Sequence, residues 1–189
     1  MSDKHRNEII DAAAAAFMRY GYRRVTMGDL AKEAGISRPT LYAVFANKEE
    51  VFRAVAGQMM ERALAEIRER VAGPLTLAEK LEQVFEIWVV RTYELIHQSP
   101  DAKELIECTQ AFSQDLIEHA YAELESVLVS VIAPHAAGGP RPEQLAHTLA
   151  ASVRGIKENA RDVDDLRALL EGLVAMTVGT LSASEPATA

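Results

Sequence analysis

The sequence predicts an all-α chain, a three-helix head followed by a larger helical bundle with about nine helices in all. Apolar residues recur at the three-to-four-residue spacing of a helix face along most of the 189 residues, and no stretch alternates with the period of two that a half-buried strand needs. Thr and Asn stand just ahead of several of these stripes with an acid three residues on, where they satisfy the open N–H groups of a helix start. Gly (10) and Pro (7) are scarce for this length, which disfavours turn-dense β-sandwiches.

The first helix runs from about Lys4 to Tyr20, with Ile9, Ile10, Ala13 and Phe17 on one face. Gly21 follows, suited to the left-handed backbone that closes a helix. The second begins after Thr26, with Asp29 as its capping partner, and ends at Gly35. The third starts after Ser37, carries Pro39 in its first turn where a missing N–H costs nothing, and ends near Phe45. Asn47 and Glu50 cap a long fourth helix, Lys48 to Val71, which at ~1.5 Å per residue spans about 35 Å. Gly73-Pro74 breaks the chain. Thr76 and Glu79 cap a fifth helix striped by Leu81, Val84, Phe85, Trp88, Thr92 and Leu95, stopped by Ser99-Pro100. Further helices cover about 101–112, 113–132, 143–158 and 164–181, with Pro134–Pro142 as the clearest loop. The division read from this pattern is a helix-turn-helix domain at 1–48, a helical body at 49–182 and a flexible tail at 183–189.

Hydrophobic residues make up 49% and charged residues 25%, ordinary values for a globular chain that argue against global disorder. The single cysteine, Cys108, excludes an intramolecular disulfide framework and any CxxC zinc or redox motif. No run reaches the ~18 apolar residues of a membrane span, and MSDKHRNEII does not read as a signal peptide. A cytoplasmic protein without membrane contact is expected. The formal charge is −8, but residues 1–48 hold eight Lys and Arg against five Asp and Glu, whereas the remainder holds twelve against twenty-three. A basic head on an acidic body suggests two jobs; an uneven solvated surface would give the same count.

Catalytic and metal-binding patterns do not emerge. His97, Cys108, His119, His135 and His147 contain no i, i+4 ligand pair. Asp162, Asp164 and Asp165 resemble the start of a calcium loop, but Leu166 fills a ligand position and the required Gly and terminal Glu are missing, so they read as acids favoured at a helix N-terminus. There is no Gly-rich phosphate loop and no nucleophile elbow. Neither an enzyme nor a cofactor is expected.

The most specific pattern lies in Thr26–Glu50, TMGDLAKEAGISRPTLYAVFANKEE. Ala31 is small where two helices would cross, and Gly35 suits the tight turn between them. Leu30, Ile36, Leu41 and Phe45 fit an inward face, which leaves Arg38, Pro39, Thr40 and Tyr42 pointing outward from the third helix. A cationic, hydroxyl and phenol group on a short helix suit the DNA major groove, where Arg reads guanine O6 and N7 and Thr meets a phosphate or a thymine methyl. Arg23 and Arg24 precede the second helix, within reach of a flanking backbone, and Lys48 suits a phosphate clamp. The competing reading is a three-helix packing motif with no ligand.

This region resembles the TetR/AcrR transcriptional regulators, through Phe17 and Gly21, Val25-Thr26, Asp29-Leu30-Ala31, Ala34-Gly35-Ile36-Ser37, Thr40-Leu41-Tyr42, Phe45 and Asn47-Lys48-Glu49-Glu50. The pattern covers about residues 4–52; the rest matches in length and helical layout only. The resemblance implies a homodimer that binds a palindromic, double-stranded operator through N-terminal helix-turn-helix domains and a small effector through its C-terminal domain. By position it places Thr26, Ser37, Arg38, Thr40, Tyr42 and Lys48 on DNA, with Tyr42 and Lys48 mainly on phosphates. Gly28 stands where such proteins often carry Arg, and Val44 where His or Tyr is common, which removes a charge and a backbone contact and implies modest operator affinity.

In the resembled family the last two helices form a four-helix dimer seam. Here that assigns Leu145, Leu149 and Val153, with Leu169, Leu173 and Met176, to the interface; the alternative is that both stripes are the subunit's own core. Met59, Met60, Trp88, Thr92, Tyr93, Cys108 and Phe112 are the candidate pocket lining, with ordinary core as the alternative for each. Few charges point inward among them, so a mostly apolar or aromatic effector is expected. The reading is a ligand-responsive repressor. Two alternatives remain: a helical small-molecule-binding protein or enzyme with a vestigial DNA-binding head, and a constitutive regulator with no effector.

Overall fold

The computed structural model describes residues 3–98 and 100–183, and among these every regular element is helical. The α-helices are α1 (Asp3–Tyr20), α2 (Met27–Glu33), α3 (Arg38–Tyr42), α4 (Lys48–Val71), α5 (Leu77–Phe85), α6 (Arg91–Gln98), α7 (Pro100–Phe112), α8 (Gln114–Ile132), α9 (Pro142–Asn159) and α10 (Val163–Ser182). A π-helical turn, Glu86–Val90, joins α5 to α6 without a break, and a 3-10 turn, Ala133–His135, follows α8. Counted with α5 and α6 as one rod, the described residues hold nine helices, as the sequence predicts.

The π turn is the feature the periodicity does not announce. An i→i+5 turn adds a residue to the ring and rotates everything after it relative to a 3.6-residue pattern. The buried stripe therefore passes from Leu81, Val84 and Phe85 to Ile87, Val89, Val90 and Tyr93, and leaves Trp88 half-buried rather than fully inward.

Two compact units are formed, Met1–Glu61 with Leu95–Glu118, and Arg62–Glu94 with His119–Ala189. The first is called the head and the second the body. The sequence placed the division at residue 48, but the contacts group α7, the end of α6 and the start of α8 with the head. Helical periodicity shows that a segment has an apolar face; it does not say which distant segment covers that face. Residues 184–189, most of the expected flexible tail, lie outside the described residues, as does Ser99, half of the expected Ser99-Pro100 stop.

The head core is built on Ile9, Ile10, Ala13 and Phe17 of α1, Leu30 and Ala31 of α2, Leu41, Phe45, and Val51, Phe52 and Val55 of α4. Phe17, Tyr22 and Phe52 stack edge-on or tilted with centroids 5.0–5.7 Å apart, and Tyr22 meets Phe112 of α7 at 5.6 Å. Arg53 of α4 ties in the end of α7, donating to the Phe112 carbonyl and to both Asp115 oxygens at 2.9 and 2.7 Å. In the body, α10 packs on α5, the π turn and α9. Its core includes Leu81, Phe85, Leu124, Leu128, Ile132, Leu149, Val153, Leu166 and Leu170.

Candidate nucleic-acid interface

Local chemistry fixes the helix-turn-helix. The Thr26 N–H donates to Asp29 Oδ2 at 2.9 Å and the Asp29 N–H donates back to Thr26 Oγ1 at 3.2 Å, a complete capping box. The Thr26 hydroxyl, which donates to Asp29 Oδ2 at 2.6 Å, and the Thr26 N–H hold the Asp29 carboxyl below its ordinary pKa, with the Lys32 and Arg38 charges adding to the shift. Helix α2 ends in a Schellman arrangement: the Ile36 N–H reaches the Ala31 carbonyl at 3.0 Å and the Gly35 N–H reaches Lys32 at 3.1 Å. Gly35 has φ +65°, the left-handed backbone that glycine alone adopts cheaply. Ser37 caps α3, accepting from the Thr40 N–H at 3.2 Å, and its hydroxyl is 2.7 Å from that of Thr40.

The inward set lies as the sequence predicts: Leu30, Leu41 and Phe45 are buried and Ile36 is half-buried. Among the candidate DNA residues, Arg23, Arg24, Thr26, Ser37, Arg38 and Tyr42 are exposed, Tyr42 by 48%, while Thr40 and Lys48 are half-buried. The hydroxyls of Thr26, Ser37 and Thr40 already take part in capping bonds, so the long outward groups of the turn and α3 are Arg23, Arg24, Arg38 and Tyr42.

Gly28, the first departure noted above, has a local counterpart. A Cβ there would lie 3.6 Å from both Cζ and Nε of Arg38, so the guanidinium rests over the bare glycine at the start of α2. Val44, the second, is half-buried at the edge of the head core. The backbone N–H of Arg23 donates to Glu104 Oε1 of α7 at 2.7 Å, and its Nε stands 3.9 Å from the same oxygen. Lys48 points back toward the chain: Nζ donates to the carbonyls of Tyr22 and Val25, both at 2.9 Å.

Residues 9–55 match the family described as bacterial regulatory proteins, tetR family. The matched segment is a TetR-type helix-turn-helix domain. It is 40% identical over 60 residues to the HTH-type transcriptional repressor ComR of Escherichia coli, covering 32% of this chain and 29% of ComR. It is 32% identical over 84 residues to the fatty acid metabolism regulator protein of Bacillus subtilis, covering 42% of this chain and 43% of that one. The matched stretches thus span less than half of these relatives. A transcriptional regulator from Cytophaga hutchinsonii shares the fold over 97% of this chain and 100% of its own, with TM-score 0.73 and 19% identity.

The candidate pocket residues are divided between the head and the body. Met59 lines a cavity of about 60 Å³ in the head, walled by α1, α4, the end of α6 and α7 through Phe17, Met18, Phe52, Leu95 and Ile106 among others. Met60 is half-buried on α4, and Cys108 and Phe112 pack against the head core, where burial pushes the Cys108 thiol up. Trp88, Thr92 and Tyr93 belong to the body. There Trp88 meets Tyr121 edge-on at 5.6 Å, the Thr92 hydroxyl donates to the Trp88 carbonyl at 3.2 Å, and the buried Tyr93 hydroxyl donates to the Ala160 carbonyl at 3.3 Å.

A larger cleft of about 380 Å³ lies in the body between α5, the π turn and α10, and sequence reasoning missed it. Its floor is Phe85, Val90, Leu170 and Val174, and its rim carries Glu82, Glu86, Glu171 and Arg167. Arg167 bridges Glu86 at 2.7 Å and Glu94 at 3.0 Å. Nothing in the sequence pairs α5 with α10, so no pattern could have drawn these residues together.

The candidate dimer residues also divide. Leu149 and Val153 are buried in the body's own core, Leu173 is nearly so, and Leu145 is half-buried, whereas Leu169 is 42% and Met176 66% exposed. The first two follow the own-core alternative, because α9 needs one apolar face simply to pack on its neighbours. Among the described residues no helix is long and apolar enough to cross a membrane, and no group of three His, Cys, Asp or Glu could hold a metal ion.

Proposed function

We propose that this chain is a transcriptional repressor that binds a palindromic operator as a homodimer and releases it when a small, mostly apolar effector binds. The observation that carries the reading is the two-sidedness of α3: Leu41 is fully buried while Arg38 and Tyr42 stand exposed on its other side, ahead of exposed Arg23 and Arg24 in the α1–α2 turn. Arg38 supplies base readout and Tyr42 and the arginine pair supply phosphate contacts, with Thr26, Ser37 and Thr40 setting the helix starts. ComR, matched over 60 residues, is itself named a repressor.

Two-fold pairing is supported by the outer sides of α9 and α10. Exposed Leu169 and Met176 share α10 with Gly172 and Gly179, where an added Cβ would meet nothing within 4 Å, and Gly155 on α9 is equally open. Small residues beside exposed apolar ones suit close helix approach in a self-complementary interface. For the effector, the head cavity has an apolar wall, and one matched relative is named for fatty acid metabolism. An alkyl-bearing molecule agrees with both.

The test is selection of bound duplexes from random DNA, with light scattering for mass. Enrichment of two inverted half-sites about one duplex turn apart, bound by two subunits, is the expected result. Unenriched DNA, or a monomer at micromolar concentration, overturns it.

A further inference from the structure

We propose that Lys48 is a positioning residue for the Tyr22–Val25 turn and not a phosphate ligand. The inference rests on the DNA-binding reading above and concerns how the two arginines of that turn are aimed.

The geometry is that of an ammonium site built into the backbone. Lys48 Nζ donates to the Tyr22 and Val25 carbonyls at 2.9 Å each and to the Arg23 carbonyl at 3.5 Å, and it lies 4.3 Å from the centroid of the Tyr22 ring. A lysine ammonium has three donors and no acceptor; here they converge on three carbonyls of one four-residue turn. Lys48 is correspondingly half-buried, whereas Arg23 and Arg24, which lie between the bonded carbonyls, are exposed.

Fixing those carbonyls fixes the peptide planes that flank both arginines. The ends of the turn are held independently, by Gly21 at φ +75° and by buried Val25, and the Arg23 N–H is held by Glu104. Lys48 supplies the remaining restraint from the first turn of α4. Removing it frees the backbone that carries two cationic side chains, so its effect on DNA binding runs through Arg23 and Arg24. A planar guanidinium places its donors in a rigid fork and does not converge on three carbonyls as a compact ammonium does. Lys48→Arg therefore separates the two roles, since a phosphate contact survives the exchange and the carbonyl bracket does not.

The test is a mutant cycle read by fluorescence anisotropy on the duplex selected by the wild-type chain. Lys48→Met and Lys48→Arg are made in the wild-type background and in Arg23→Ala/Arg24→Ala. Both are expected to weaken binding about tenfold in the wild-type background and less than about twofold once the arginines are gone, because coupled residues fail to add. An equal loss in both backgrounds, or full retention by Lys48→Arg, overturns the proposal.

A second measurement needs no DNA. Hydrogen exchange across residues 21–27 of the full chain is expected to accelerate in both variants, with the α8–α10 peptides unchanged as the control for folding. Unchanged exchange in the turn overturns the bracket. If the wild-type chain enriches no duplex, the DNA-binding reading falls, and the aiming role falls with it, while exchange still decides whether the bracket exists. Should Lys48→Met fail to fold, Lys48→Arg carries both measurements.

Discussion

Head and body are fastened by different means. In the head, successive helix boundaries are closed by named hydrogen bonds within a few residues: the Thr26–Asp29 box, the Gly35 turn, the Ser37 cap, and Asn47 with Glu50, which accept from the Glu50 and Ala46 N–H groups at 2.9 and 2.7 Å. In the body, α5 and α10 are also capped, by the Thr76–Glu79 box and by Asp162, but α9 begins at Arg141 with no side-chain cap, and the long helices α8, α9 and α10 meet through apolar stripes. Short-range bonds define direction, so the head holds a short helix of five residues, α3, in one orientation. Stripes define burial, and they leave the outer sides of α9 and α10 open to another use.

Core deletions sharpen the contrast most. Phe17→Ala is expected to destabilise by ~3–5 kcal/mol and Leu149→Ala by ~2–5 kcal/mol, because both leave cavities in close-packed interiors. Met176→Ala should stay within ~0.5 kcal/mol for a subunit on its own, because that side chain is 66% exposed, and instead weaken dimerisation. Urea unfolding followed by circular dichroism reads the first two and sedimentation the third. Trp88 is the only tryptophan and belongs to the body. If Phe17→Ala shifts its fluorescence transition as far as the circular dichroism transition, the two units unfold as one and the contrast is broken.

Recognition comes next in size. Arg38→Ala is expected to weaken operator binding by ~1–3 kcal/mol and to relax preference at one base position, as loss of a guanine contact would. Anisotropy on the selected duplex and a repeat selection with the variant measure both. A loss spread evenly over all sequences, with a lowered salt slope, would instead place Arg38 on a phosphate.

These contrasts explain what was legible in the sequence. Thr26, Asp29, Gly35, Ser37 and Pro39 announce the helix-turn-helix because each acts on the backbone within about four residues, so spacing alone encodes it. The long α4 was legible for the same reason, through Asn47 and Glu50. The π turn at Glu86–Val90 was not, because an inserted residue leaves composition unchanged and only rotates the face, which is how Trp88 came to be read as inward. The membership of α7 in the head was hidden as well. Phe112 and Cys108 look like any apolar pair until Tyr22 and Phe52 are brought to them by the fold. The carbonyl partners of Lys48, 23 to 26 residues earlier, carry no side-chain signature, so spacing does not announce them.

Capping offers a matched pair of smaller effects. Thr26 and Thr76 form the same box, with the Thr76 N–H to Glu79 Oε2 at 2.8 Å and the Glu79 N–H to Thr76 Oγ1 at 3.3 Å. Each Thr→Ala change is expected to cost ~1 kcal/mol in urea unfolding. Only Thr26→Ala should also weaken operator binding, since α2 seats α3 and its start underlies the Arg38 guanidinium. Equal effects of both changes on DNA binding would remove the distinction between a boundary that aims a recognition helix and one that merely begins a helix.

The smallest expected effect is acid sensitivity, and it too has one group in each unit. In the body, hydrogen bonds from the Arg161 side chain and backbone hold the Asp165 carboxyl down at about 2; in the head, the Arg53 side chain lowers Asp115 in the same way. A carboxyl whose pKa is depressed by folding favours the folded state once it is ionised in both states. That contribution is present above the unfolded value near ~3.9, is lost as pH falls toward the folded value, and is gone below both. The urea midpoint should therefore drop between about pH 5 and pH 2, with exposed pairs of this kind giving a shallow slope that salt flattens further. Asp165→Asn should remove part of the slope seen by Trp88 fluorescence, and Asp115→Asn should leave that part in place. If Asp115→Asn flattened the Trp88 profile equally, the two pairs would be reporting a single cooperative transition, and the separation of head from body would not extend to stability.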